Sequence, residues 1–307
     1  MTIVDTNVPI TAALAEKYLN ALEKEYPFVQ VTQIGQTVFG RPLLAAKVGE
    51  GERKVLYTAA HHANEWITAL VLLKFIEDYA FAVKTDGEIF GVPAGNIFKY
   101  TTLYFVPMVD PDGVDLVVGA ATEEETSLAE KLAENYPQIP FPEGWKANLL
   151  GVDLNLQYPA GWLQAREIKF SQGFTRPGPR DFVGIAPFFE REVKALAGFT
   201  QEIDPALVLA YHTQGGEIYW QFQDIFVPGA EALGQEFARL SGYTLTEAAY
   251  NSSFAGYKDW FIRFFHRPGY TIEAGRGENP LPITQFDEIY RDNLGILVTA
   301  ATGLPEM

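Results

Sequence analysis

Ala59-Ala60-His61-His62-Ala63-Asn64-Glu65-Trp66 is the stretch on which the reading of this chain turns. It follows Lys54-Val55-Leu56-Tyr57-Thr58, a short run of β-formers, and precedes Ile67-Thr68-Ala69-Leu70-Val71-Leu72-Leu73-Lys74-Phe75-Ile76, whose apolar content suits a buried helix. The motif is therefore expected at a strand-to-helix turn, and in open α/β sheets ligands bind outside the carboxyl ends of the strands. His62 and Glu65 stand three residues apart, close enough for an imidazole nitrogen and a carboxylate oxygen to reach one metal ion from a single turn. Zinc accepts such a mixed set, and a catalytic zinc site takes one more protein ligand while keeping a position for water. The chain has four histidines, His61, His62, His212 and His266, so a third ligand has few sources.

Composition sets the outer limits. A chain of 307 residues with 48% hydrophobic and 14% aromatic content can bury a sizeable core, as one large α/β domain or two smaller ones. No low-complexity linker divides it, and no internal repeat is visible. The absence of cysteine excludes disulfides and thiolate metal sites. A formal charge of -16 argues against nucleic-acid or anionic-membrane partners, which need a positive surface. The N-terminus, Met1 to Asn7, lacks the basic and apolar regions of a secretory signal, so a cytoplasmic protein is expected. No run approaches the roughly 20 apolar residues of a membrane span.

The rest of the chain supplies alternating elements. Leu14, Tyr18, Leu19 and Leu22 recur at helical spacing and predict a helix from about Ile10 to Glu25. Val29 to Ile34 and Leu43 to Val48 read as strands joined through a turn at Phe39-Gly40-Arg41-Pro42. Asp86 to Asn96 reads as a loop, and Tyr100 to Val106 as a buried strand that stops at Asp110-Pro111-Asp112-Gly113, a strong turn signal. A short helix is expected near Thr126 to Asn135, then an irregular Pro-rich loop. Ile185 to Thr200 resembles an amphipathic helix, and Leu207 to Tyr211 is a strand that delivers His212 at its end. Helices are expected at Gly229 to Ser241, Tyr257 to Phe265 and Gln285 to Ala300. Between the last two, Gly269 to Gly275 reads as a late strand ending on the carboxylate of Glu273.

Strands and helices alternate, and three strand ends carry His62 with Glu65, His212, and Glu273. Together with the Asp110-Pro111-Asp112-Gly113 turn, Gly151-Val152-Asp153-Leu154-Asn155, Tyr211-His212, Tyr250 and Thr271-Ile272-Glu273, these ordered motifs resemble the zinc metallocarboxypeptidases of the carboxypeptidase A superfamily. The likeness runs from about Tyr18 to Ile289. It implies a single α/β domain over 1–307, N-terminal helix included, with a mixed, twisted central sheet flanked by helices and no separate wall-binding module. His212-Thr213-Gln214-Gly215-Gly216-Glu217-Ile218-Tyr219-Trp220, Gly256-Tyr257-Lys258-Asp259-Trp260-Phe261 and Gly277-Glu278-Asn279-Pro280-Leu281-Pro282 are similar to signatures of the bacterial γ-D-glutamyl-meso-diaminopimelate peptidases. That branch implies hydrolysis of an amide in peptidoglycan stem peptides, with a peptide or muropeptide as partner.

The resemblance also implies roles. One Zn2+ per chain would be held by His62, Glu65 and His212, the His2Glu set known in carboxypeptidase A, and Glu273 would be the general base. Asp153 matches the carboxylate that accepts the free ring N–H of His62, and Tyr250 the tyrosine that caps the substrate. Two positions depart from the carboxypeptidase pattern. Lys146 stands where an oxyanion-stabilising arginine is expected, keeping a positive charge without the bidentate fork. Leu156 stands where an arginine clamps the substrate's terminal carboxylate, and its loss argues against ordinary carboxypeptidase specificity. Glu217 and Asn155 are the candidates for reading the diaminopimelate end.

Blander assignments compete at single positions. His61 reads as a neighbour in the turn, His266 as a surface or turn residue, and Trp260 to Phe265 as core. Two other function classes stay open: a carboxypeptidase or N-acyl amidohydrolase on the same scaffold, and a metal-free pseudo-enzyme that binds muropeptides. Intact ligand and base positions speak against the second.

Overall fold

Thr11 Oγ1 accepts a hydrogen bond from the Leu14 amide at 3.1 Å, satisfying a free N–H at the start of helix α1 (Ala12–Glu25). This is the first element of the computed structural model, which describes residues 2–303. Strands β1 (Val29–Gln36) and β2 (Pro42–Val48) pair antiparallel across a turn in which Gly40 takes φ 93°. β3 (Arg53–Ala59) runs into the histidine turn and then helix α2 (Ile67–Lys84). A small hairpin of β4 (Glu88–Ile89) and β5 (Val92–Pro93), then helix α3 (Ala94–Tyr100), lead to β6 (Thr101–Val106). Helices α4 (Pro111–Val117), α5 (Glu123–Ala133), α6 (Trp162–Ser171) and α7 (Arg191–Ile203) separate it from β7 (Leu207–His212) and β8 (Glu217–Tyr219). Helix α8 (Ala230–Ser241), β9 (Thr244–Thr246), helix α9 (Tyr257–Phe265), β10 (Gly269–Glu273) and helix α10 (Phe286–Thr302) follow.

Eight strands form one mixed sheet in the order β1-β2-β6-β3-β7-β10-β8-β9. Its centre, β6-β3-β7-β10, is parallel, so four strands release their chain at the same edge. Both faces are covered. Val55, Tyr57, Leu209, Tyr211 and Tyr270 join the core beneath α2 and α10, while Leu56, Val208 and Ala210 join the core beneath α7 and α9. This is the period-two alternation of a sheet between two helical layers. Each large side chain buried in this way, such as Tyr57 stacked on Phe105 at 5.0 Å, contributes ~1.5–3 kcal/mol relative to exposure. The expected α/β fold with a mixed central sheet is the fold observed.

Several local expectations are corrected. Asp110-Pro111-Asp112-Gly113 opens a helix rather than a turn: Asp110 Oδ1 accepts the Gly113 amide at 3.0 Å and Pro111 occupies the first turn, where its missing N–H costs nothing. The loop expected over Asp86 to Asn96 contains the β4–β5 hairpin and the start of α3, so Tyr100 ends a helix instead of starting a strand. The helix expected from Ile185 begins at Arg191. α5 starts at Glu123, set by a capping box between Thr122 and Glu125. In the aromatic run of α9, Trp260 and Phe261 are core but Phe264 is 64% exposed.

Candidate metal centre and active-site cleft

Where β3 ends, Ala60 takes the left-handed conformation at φ 47°, which bends the chain sharply out of the sheet. The bend is held by Thr68, whose Oγ1 accepts the Ala60 amide at 3.0 Å and donates to the Glu65 carbonyl at 2.7 Å. His62 and Glu65 are thereby fixed on one short 3-10 turn, Ala63–Glu65. Helix α4 packs directly beneath: a Cβ at Gly113 would overlap Ala63 Cβ and the Ala147 carbonyl, so this approach requires glycine. His212 arrives as the last residue of β7, and Glu273 lies beside it in register at the end of β10.

The geometry brings three donors together. His62 Nδ1 lies 2.9 Å from Glu65 Oε1, His212 Nδ1 lies 2.8 Å from Glu65 Oε2, and the two Nδ1 atoms are 3.2 Å apart. Every ligand atom of the set is within 4.8 Å of the others, and all three residues are buried. Burying the Glu65 carboxylate requires compensating positive charge. Part comes from Lys146, whose Nζ is 3.4 Å from Glu65 Oε1. Burial opposes a charge on His62, yet Glu65 and Asp153 outweigh it and raise its pKa to about 9. Burial lowers the pKa of His212, which leaves that imidazole free to act as a neutral ligand. The nitrogen and oxygen donor set, with one imidazole backed by a carboxylate, fits zinc.

Asp153 supplies that backing. Its Oδ1 lies 3.2 Å from His62 Nε2 and its Oδ2 accepts the Asp181 amide at 3.4 Å. Although burial raises its pKa, His62 and Lys146 more than offset this and hold the carboxyl well below the usual carboxylate range. Glu273 goes the other way: burial and the neighbouring Glu65 carboxylate push it up to about 8, against the pull of Lys146 and His62. His61, expected only as a neighbour in the turn, is fully buried and stacks on His212 with centroids 5.5 Å apart, so it walls the site. His266 caps the end of α9 in a left-handed conformation, far in sequence from any ligand.

These groups open into a cleft of about 830 Å³. Its lining includes His62, His212, Glu273, Lys146, Asn155 and Leu156. Asn155 Oδ1 accepts the Tyr257 amide at 2.9 Å, which ties that wall to α9, while Leu156 packs into the apolar core and still lines the cleft. Two expected residues are not in the lining itself. Glu217 stands opposite Glu273 on β8, and its carboxylate accepts the Tyr219 hydroxyl at 2.6 Å, so Tyr219 is the residue of this pair that lines the cleft. Tyr250 is 70% exposed on a 3-10 turn at the rim, its ring packed edge-on at 5.2 Å against Phe254, which lines the cleft. The sequence reading missed Arg180 and Lys258, both of which line it. The visible signal for Arg180 was a cation in the Pro-Gly-Pro-Arg180-Asp181 loop beside the motif residues.

A sequence profile of the Peptidase_M14 zinc carboxypeptidases matches residues 15–295. The chain belongs to the zinc carboxypeptidase family. Among its relatives is the gamma-D-glutamyl-L-diamino acid endopeptidase 1 of Lysinibacillus sphaericus, 43% identical over 280 residues, covering 91% of this chain and 69% of the relative. Protein YqgT of Bacillus subtilis (strain 168) is 42% identical over 291 residues, covering 92% and 74%. The fold is that of bovine thrombin-activatable fibrinolysis inhibitor, with a TM-score of 0.72 at 17% identity over 97% of both chains. The murein-tripeptide amidase MpaA of Escherichia coli O157 shares it at a TM-score of 0.55 and 19% identity, over 90% of this chain and 93% of that one. Membership in this zinc carboxypeptidase family makes the chain a zinc metallopeptidase, and its His62, Glu65 and His212 cluster is able to hold the ion.

Proposed function

We propose that this zinc peptidase hydrolyses the γ-D-glutamyl amide of peptidoglycan stem peptides next to the diamino acid, with one Zn2+ per chain on His62, Glu65 and His212. The convergence of these three side chains with Glu273 on one cleft supports the chemistry. The substrate class comes from the Lysinibacillus relative, a γ-D-glutamyl endopeptidase by name.

When bound, zinc supplies Lewis acidity, polarising a scissile carbonyl and acidifying water. The chain's own residues do the rest. Asp153 takes the Nε2 proton of His62 as a hydrogen bond, which leaves the Nδ1 lone pair facing Glu65 and His212. Glu273 carries the proton traffic: its carboxylate accepts a proton from the attacking water and returns it to the leaving nitrogen. Burial sets its affinity for that proton high, and positive charge in the triad, acting in the same direction as Lys146, lowers it towards neutrality. Lys146 places a positive charge where the carbonyl oxygen becomes negative. Asn155, its oxygen committed to Tyr257, keeps its amide N–H groups for substrate, and Leu156 presents an alkyl wall in place of a guanidinium. That wall fits an amide-linked continuation of the peptide better than a terminal carboxylate.

Mass spectrometry of products from a defined γ-D-glutamyl-diaminopimelate tripeptide and tetrapeptide tests this reading. The expected result is a cut at the γ-D-glutamyl bond in both, abolished by a chelator. Release of only the terminal residue, or turnover that survives chelation, contradicts it.

A further inference from the structure

The loss of the terminal-carboxylate clamp at Leu156 leaves an anionic substrate without an evident guanidinium partner, and the cleft lining contains a single arginine among the described residues, Arg180. Its segment is stitched to the oxyanion side of the site: the Pro179 carbonyl accepts the amides of Lys146 at 2.7 Å and Ala147 at 3.0 Å. The next residue, Asp181, donates its amide to Asp153 and takes φ 65°, which turns the chain at this point. Arg180 spends only its Nε, donating to Asp181 Oδ2 at 2.8 Å. Asp181 is in turn neutralised by Lys169, whose Nζ lies 2.5 Å from Oδ1. Neither terminal nitrogen of Arg180 meets an acceptor among the described residues, and the side chain is 40% exposed.

The other cations of the lining are committed. Lys146 faces Glu65, and Lys258 donates to the Gln221 carbonyl and pairs with Asp259. Among the described residues Arg180 thus presents the one free planar fork in the cleft, the geometry that matches a carboxylate with two parallel hydrogen bonds. The carboxylate nearest to it on the lining, Asp181, holds only the Nε and is itself shared with Lys169. A γ-linked glutamyl residue carries a free α-carboxylate a few bonds from the scissile carbonyl, on the acyl side where Lys146 acts. An α-amidated residue carries no charge there.

Resting on the proposed function, we infer that Arg180 is a specificity residue that binds the free α-carboxylate of the γ-linked glutamyl residue, so the cleft selects γ-glutamyl over γ-isoglutaminyl substrates. The test uses the full chain loaded with zinc and two peptides, L-alanyl-γ-D-glutamyl-diaminopimelate and its isoglutaminyl counterpart. Binding is measured by calorimetry in a Glu273→Gln background and turnover in the parent. A charge-assisted pair predicts that the glutamyl peptide binds roughly tenfold to a hundredfold more tightly and has a correspondingly lower KM. Arg180→Ala removes that preference by weakening the glutamyl peptide alone, through KM with kcat retained, and Arg180→Lys restores part of it. A preference that survives Arg180→Ala, or a parent enzyme that treats both peptides alike while cutting them, overturns the assignment and leaves the proposed function standing. The expected binding pattern without any cleavage by the parent does the reverse, and no binding of either peptide overturns both.

Discussion

Two buried clusters of charge lie close together in this molecule and are built on opposite rules. Around Arg41 four of the five guanidinium N–H donors are spent: Nε donates to Asp115 at 2.6 Å, Nη1 to Asp112 at 2.9 Å and Glu125 at 2.7 Å, and Nη2 to Glu125 at 2.9 Å. Thr37 adds a further donor to Asp112 at 2.9 Å. Around Glu65, by contrast, the Nδ1 atoms of His62 and His212 crowd each other at 3.2 Å and both face the same carboxylate. The first cluster is a closed network that pins the β1–β2 turn to α4 and α5. The second converges ligand atoms from three residues, all within 4.8 Å of one another, and it opens to a cleft. A satisfied network rigidifies, whereas basic nitrogens crowded on one carboxylate mark a place for a cation.

Substitutions can break this contrast, and the largest effect belongs on the cleft side. Glu273→Gln is expected to lower kcat by roughly 10²–10⁴-fold, the range of general acid–base catalysis, while zinc content and thermal stability stay at parental values. Turnover with a stem peptide beside metal analysis checks both halves. Arg41→Ala should show the mirror image: about 3 kcal/mol less stability in urea unfolding, because three buried carboxylates lose their partner, with zinc content unchanged. The smallest effect is acid dependence. Hydrogen bonds from Arg41 hold the Glu125 carboxyl down to about 2 against its burial. A carboxyl with a lowered folded pKa stabilises above its ordinary value of 4.5 and loses that contribution as pH falls towards 2. Near the surface, solvent screening reduces this to about 1 kcal/mol. Thermal melts from pH 5 to pH 2 should therefore fall less steeply for Glu125→Gln than for the parent.

The same contrast explains what could be read in advance. The His62, Glu65 pair was legible because spacing on one turn is local information, and His212 and Glu273 because each ends a short, largely apolar run of strand length. The parallel order β6-β3-β7-β10 then brings those ends to one edge. What escaped depends on contacts distant in sequence. Asp110-Pro111-Asp112-Gly113 carries turn residues, but the same residues cap a helix when the following segment packs, and Gly113 is set by its approach to Ala63. Glu217 stands opposite Glu273 on β8, and the hydroxyl of Tyr219 that occupies its carboxylate is a contact no sequence pattern encodes. Tyr250 lies on an exposed turn whose position no periodicity encodes. Arg180 lies in a Pro- and Gly-rich loop with no pattern of its own, and only the bonds to Lys146 and Asp153 bring it to the cleft.

The central claim, that His62, Glu65 and His212 share one zinc ion, is tested most directly by elemental analysis of the dialysed protein beside its His212→Ala variant. One zinc per chain in the parent and almost none in the variant is the predicted result. Full occupancy in the variant, or a parent that takes up no zinc when the ion is supplied, would contradict it.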